Sequence, residues 1–120
     1  MSLEQIQKDL DNLRAAVPEL RGVLLASNEG RPIAHVLPQE SDPERLAALA
    51  AAASSLGRRM TSTLETGTLN EMAVSASEGQ LFLYNAGNKA VLAVLGPTGA
   101  NTGLIHLEAR WAAREISERF

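Results

Sequence analysis

The chain contains no cysteine. That excludes disulfide frameworks, zinc ribbons, thiol nucleophiles and cysteine-held iron–sulfur clusters. Aromatic rings are nearly as scarce, with only Phe82, Tyr84, Trp111 and Phe120. No apolar run approaches the roughly 18–20 residues that span a bilayer, so no membrane insertion is expected. Lysine and arginine number 11 against 14 aspartates and glutamates, for a net charge of −3. Without a basic excess the chain has no electrostatic footprint for nucleic acid. Histidine is limited to His35 and His106. No HxxxH or carboxylate–histidine spacing accompanies them, so no metal and no cofactor are expected. No serine sits in a GxSxG elbow, and the carboxylates are scattered, so catalysis by the chain's own side chains is not expected. The opening MSLEQIQKDLDN is acidic and amphipathic. It reads as neither a secretory signal nor a transit peptide, which suggests a cytoplasmic protein.

The 120 residues present suit one domain covering 1–120, able to bury about two-thirds of its extended surface. Apolar residues make up 45%, mostly alanine and leucine, which is unusual beside so few rings. Arginine outnumbers lysine, a bias of GC-rich bacterial genomes.

Periodicity divides the chain into eight elements. Ser2 and Gln5 read as a capping box, followed by Leu3, Ile6, Leu10, Leu13 and Val17 at helical spacing up to Pro18. GVLLAS (22–27) and PIAHVL (32–37) form a hairpin through Asn28-Glu29-Gly30. Ser41-Asp42-Pro43-Glu44 starts a second helix running to about Ser62. Strands follow at 68–77, 80–86 and 90–95, joined by glycine turns, and a last helix runs from Thr102 to Phe120. Its inner stripe is expected to be Leu104, Ile105, Glu108, Trp111, Ala112 and Ile116. The order is α-β-β-α-β-β-β-α, an antiparallel meander between helices, α+β in class. Strands 80–86 and 90–95 are apolar on both faces and belong in the sheet interior.

The second helix carries the clearest functional signal. Leu46, Leu49, Ala53, Leu56, Met60 and Leu64 form one stripe, expected to face the sheet. Ala47, Ala48, Ala51, Ser54, Ser55, Arg58 and Ser62 lie opposite, flanked by Ala52 and Arg59. Alanine's helix propensity and arginine's attraction to a helix C-terminus account for that face in one reading. In the other it is a close-packing surface for a partner, because small side chains permit near approach. Strand 68–77 alternates Met72, Val74 and Ala76 against Glu71 and Ser75, which suits a sheet edge. It lacks the proline, lysine and bulge glycine that protect edges from strand addition. Together the two features predict a homodimer, pairing strands across a two-fold beside the second helices. Its contacts are expected at Ala52, Ser55, Leu69, Asn70, Glu71, Met72, Ala73 and Val74.

The loop GPTGANTG (96–103) joins a strand to a helix, where phosphates bind in other proteins. It has neither the lysine of a Walker loop nor the GxGxxG spacing. It reads as turn and cap, with anion binding as the alternative.

The segments GVLLASNEGRPIAHV, LNEMAVSASEGQLFLYNAGNKAVLAVLGP and NTGLIHLEARWAAREI, in this order, resemble the roadblock/dynein-light-chain family. The resemblance spans about Gly22 to Ile116. It implies a roadblock/profilin-like five-stranded antiparallel sheet, with the second helix on one face and the terminal helices on the other. It also implies a dimer through the second helix and third strand. Family members are non-enzymatic partners of small Ras-like GTPases, or light chains in dynein complexes. The chain is similar to the gliding-motility and polarity branch, which regulates a Ras-like GTPase by repositioning the GTPase's own residues. There, small residues on the second helix touch the GTPase, which implies Ala47, Ala48, Ala51, Ser54 and Ser55 here. Arg58 and Arg59 complete that expected partner surface, as steering cations or an arginine finger. Two other readings stay open: a scaffold for a non-GTPase partner, and a ligand sensor or hydrolase using loop 96–103.

Overall fold

Three helices and five strands follow one another in the expected order in the computed structural model, which describes residues 2–120. They are α1 (Leu3–Ala16), β1 (Gly22–Ser27), β2 (Pro32–Val36), α2 (Pro43–Thr63), β3 (Glu71–Ala76), β4 (Gly79–Ala86), β5 (Ala90–Gly96) and α3 (Thr102–Ser117). Each helix begins where a polar side chain takes a free backbone donor. The Gln5 N–H donates to Ser2 Oγ (3.3 Å), Arg45 N–H to Asp42 Oδ1 (3.1 Å) and Leu104 N–H to Asn101 Oδ1 (3.1 Å). Such caps satisfy donors that the helix itself cannot. Pro43 sits in the first turn of α2, where its missing N–H costs nothing.

The strands form one antiparallel sheet in the order β2-β1-β5-β4-β3. The chain's first hairpin thus joins its later meander through β1 and β5, from Gly22 opposite Leu95 to Ser27 opposite Ala90. β4 pairs along its length with β5, from Gln80 opposite Gly96 to Ala86 opposite Ala90. Both are interior, as their two-sided apolar sequences require. β2 and β3 are the edges, and Pro32 begins the former, where a missing donor is tolerated. The strand expected from residue 68 starts instead at Glu71.

Side chains of the sheet alternate between two cores. Val23, Leu25, Phe82, Tyr84, Leu92 and Val94 point to one face, covered by Ile6, Leu10, Leu13 and Val17 with Ile105, Ala109, Ala112 and Ile116. Leu24, Ala26, Leu83, Val91 and Ala93 point to the other and meet Ala47 and Ala50 of α2. Terminal helices on one face and the middle helix on the other match the expected layers.

Two stripes differ in detail. Leu3 is exposed at the first position of α1. In α3 the buried stripe is Ile105, Ala109, Ala112, Ala113 and Ile116, spaced i, i+4, i+7, i+8, i+11. Alanines let α3 lie close to the sheet and to α1. That line passes beside Glu108 and Trp111, and Trp111 is 61% exposed. Three ionic contacts anchor the layer. Arg119 donates from Nε and Nη2 to the two Asp9 oxygens (3.1 and 3.2 Å), and also meets Glu115 (3.7 Å). Arg110 of α3 grips both oxygens of Glu71 on β3.

Candidate interaction surface on the second helix and third strand

The face of α2 that meets the sheet is its small one, the reverse of the expected orientation. Ala47, Ala50, Ala51, Ser54 and Gly57 are buried. Leu49, Leu56, Met60 and Leu64, expected inside, are between 49% and 70% exposed. Of that expected stripe only Leu46 and Ala53 pack partly against the core. The cause is distance: a helix presenting alanine, serine and glycine settles closer to a sheet than leucines would allow. The expected partner surface therefore needs correction at Ala47, Ala51 and Ser54, which lie between helix and sheet and cannot touch another molecule there. Ala48, Ser55, Arg58 and Arg59 remain exposed, as does Ala52.

Two glycines pin the helix. At its hairpin side, Gly30 takes φ +91° and a methyl there would stand 3.2 Å from Ala48 Cα. Only glycine adopts that backbone conformation without strain. At the other side, a methyl on Gly57 would stand 2.6 Å from Met72 Sδ and 3.0 Å from Leu69 Cδ2. β3 thus flanks α2 at Gly57.

With 100° between successive residues, these contacts orient the whole helix. Met60 and Leu64 lean toward the β3 flank, whereas Leu49 and Leu56 point more nearly away from the sheet. Ala52 and Arg59 share that outward side, and Ala48 and Ser55 turn toward the hairpin flank, where Gly30 meets Ala48. Leu56, Arg59, Met60, Thr63 and Leu64 line a shallow hollow of 380 Å³.

β3 completes this surface. Its one sheet neighbour is β4, so its far edge carries unpaired backbone groups. Met72 and Leu69 are half-buried toward α2, whereas Asn70, Ala73 and Val74 are exposed. Glu71 turns to the opposite face, where Arg110 holds it. Of the eight expected dimer contacts, five have exposed side chains, Ala52 and Ser55 on the helix and Asn70, Ala73 and Val74 on or beside the strand, whereas Leu69, Glu71 and Met72 are half-buried.

A polar network locks α2 to the sheet beneath. Ser54 Oγ donates to Asn85 Oδ1 (3.0 Å), Arg58 Nη1 donates to Ser54 Oγ (3.1 Å), and Asn85 Nδ2 donates to the Leu69 carbonyl (3.2 Å). Arg58 also reaches Asn85 Oδ1 at 3.4 Å. Its guanidinium is engaged within the chain, whereas Arg59 points outward. Nothing in the alternating pattern of QLFLYNA singles out Asn85 as the hub. Its polarity inside an otherwise apolar strand was the available signal.

Elsewhere the chemistry is structural. Tyr84 Oη and His106 Nδ1 share a hydrogen bond of 2.6 Å. Burial, aided by the Glu71 carboxylate and opposed by Arg110, holds the Tyr84 phenol well above its ordinary range. His35 is exposed on β2. Among the described residues no three metal-ligating side chains cluster. In loop 96–103, the Asn101 N–H donates to Glu19 Oε1 (3.0 Å) and Asn101 caps α3. Two backbone donors of this strand-to-helix junction are thus taken by the chain's own side chains.

Comparisons with known proteins agree with this architecture. The model of the Roadblock/LC7 domain family matches residues 6–96. The uncharacterized protein MJ1340 of Methanocaldococcus jannaschii is 30% identical over 101 residues, 84% of this chain and 88% of that protein. Among solved structures, Myxococcus xanthus MglB superposes with a TM-score of 0.91 at 20% identity, covering 99% of this chain and 90% of its own. Acanthamoeba castellanii profilin II superposes with a TM-score of 0.68 at 11% identity, covering 94% of this chain and 97% of its own. Roadblock and profilin-like folds are thus the structural neighbours, as the sequence resemblance implied.

Proposed function

The chain belongs to the Roadblock/LC7 domain family, and on that premise we propose that it is a non-catalytic regulator that binds a small Ras-like GTPase as a homodimer. One observation carries the reading: a stripe of large apolar side chains on α2 lies exposed beside an unpaired sheet edge. Four such side chains in water, on the flank of an unprotected strand, make a surface that a second copy would cover. Antiparallel pairing of two β3 strands brings the two α2 flanks together across the two-fold, burying Leu56, Met60 and Val74. Ala73 and Asn70 lie on the same edge, and Ala52 borders the helix seam.

The GTPase then meets the outward and hairpin-side face of α2. Ala48, Ala52 and Ser55 are small enough for close approach, and Arg59 supplies a cation near the end of the helix. The chain contributes contact area and charge rather than a reacting group. A change in hydrolysis follows from shifting the GTPase's own residues. Arg58, bound to Ser54 and Asn85, holds α2 in place on the sheet.

Two measurements test this. Sedimentation equilibrium at micromolar concentration should give twice the chain mass, and Leu56→Asp should give a monomer with unchanged helix content. A wild-type monomer would overturn the dimer. Titration with a small Ras-like GTPase of the same organism, loaded with GDP or GTP, should show binding that Ser55→Arg abolishes. Absence of binding in both nucleotide states would overturn the GTPase reading and leave a scaffold for another protein.

A further inference from the structure

We propose that the groove between α1 and α3, on the face opposite α2, is a second docking site, and that its occupant is a basic amphipathic helix of another protein. The groove has a volume of 430 Å³, and its walls include Leu13, Ala16 and Ala112. The chain's single tryptophan stands at its rim, 61% exposed. Leu107, one turn earlier on α3, is also exposed and extends the apolar ridge. A large ring left in water where alanines fill the neighbouring core positions is a contact in waiting, because tryptophan anchors dominate protein interfaces.

Charge selects the occupant. Asp9, Glu108 and Glu115 line the groove with Arg119 as its one cation. Arg119 is bound to Asp9 and reaches Glu115, so the lining keeps a net negative charge. The helix segregates its charges: Arg110 turns to β3 and Glu71, leaving Glu108 and Glu115 on the groove side. An acidic rim repels anionic lipid and attracts lysine and arginine. A guanidinium or ammonium seated over Trp111 would gain a cation–π contact as well. A trough between two antiparallel helices accepts a third helix, apolar residues inward and basic residues toward the rim. The site is separated from the α2–β3 surface by the sheet, so both could be filled at once.

Trp111 reports its own test. The probe is a synthetic peptide of about four helical turns, with leucines on one face, lysines on the other and no aromatic residue. Added to the full chain, it should shift tryptophan emission to the blue in a saturable titration. The double variant Glu108→Gln, Glu115→Gln should weaken that binding by about tenfold while keeping the same circular dichroism. A scrambled peptide of identical composition should not bind. The proposal is overturned if no shift appears, if the double variant binds as tightly, or if the scrambled peptide binds equally. A blue shift that grows with protein concentration alone would assign the groove to a second copy and overturn the proposed occupant.

Discussion

Gly57 and Met72 approach so closely that a single methyl on the glycine would stand 2.6 Å from the methionine sulfur. This contact sets the distance between α2 and β3, and with it the shape of the flank bearing Leu56 and Met60. Replacing Gly57 with leucine should force the elements apart. An overpacked site of this kind costs about 1–3 kcal/mol, against which leucine's better helix propensity returns about 1 kcal/mol. Urea denaturation should show a lower midpoint, and the dimer should dissociate at a higher concentration than the wild type.

Ala51 and Ala52 are neighbours in sequence with opposite surroundings, one buried against the sheet and the other on the outer surface. Ala51→Arg inserts a charged side chain into a space filled by the hairpin and should destabilise the domain by several kcal/mol. Ala52→Arg should leave the melting temperature nearly unchanged and remove partner binding. Thermal melts of the two variants, side by side, read out the orientation of α2.

Asn85 joins Ser54, Arg58 and the Leu69 carbonyl. Asn85→Ala leaves the Ser54 hydroxyl and the carbonyl without this partner, at about 1–3 kcal/mol. Chemical denaturation should show that loss. Faster hydrogen exchange at residues 68–70 should accompany it, since that segment is held by the Leu69 contact.

Tyr84 is the only tyrosine, so absorbance near 295 nm follows it alone. Its phenol is held above the ordinary value of 10.0 in the folded chain. The unfolded chain therefore releases its proton first as pH rises. The stabilisation is complete below about pH 10 and declines above it, because the unfolded state then binds fewer protons than the native one. An alkaline titration should show tyrosinate appearing together with loss of structure. A transition near pH 10 in the folded protein would contradict this account.

Elements and their order were legible because turns and caps carry local signals. Asp42-Pro43 started a helix, Gly30 closed a hairpin, and the half-polar EMAVSA lay at an edge. Orientation of α2 was not legible, since periodicity finds an amphipathic stripe without saying which side the core takes. Size points the wrong way here: hydrophobicity alone places Leu49 and Leu56 inward, but the sheet accepts Ala47, Ala50 and Gly57 at shorter range. The same holds for Trp111, whose size suggests the core but which stands exposed. Ser54 and Asn85 are remote in sequence, so their pairing needed the fold itself.

The sheet order has a further consequence, in the timing of folding. β3, β4 and β5 can pair as they emerge, each with its sequence neighbour, and so can β1 with β2. The seam between β1 and β5 joins residues 22–27 to residues 90–95 and has to wait for nearly the whole chain. Until then Val23 and Leu25 have no strand beside them on that side, and neither core is closed. Long-range closure of this kind slows folding. Synthesis from the N-terminus thus makes two unfinished halves, and the last strand, inserted between them, turns both into one protein.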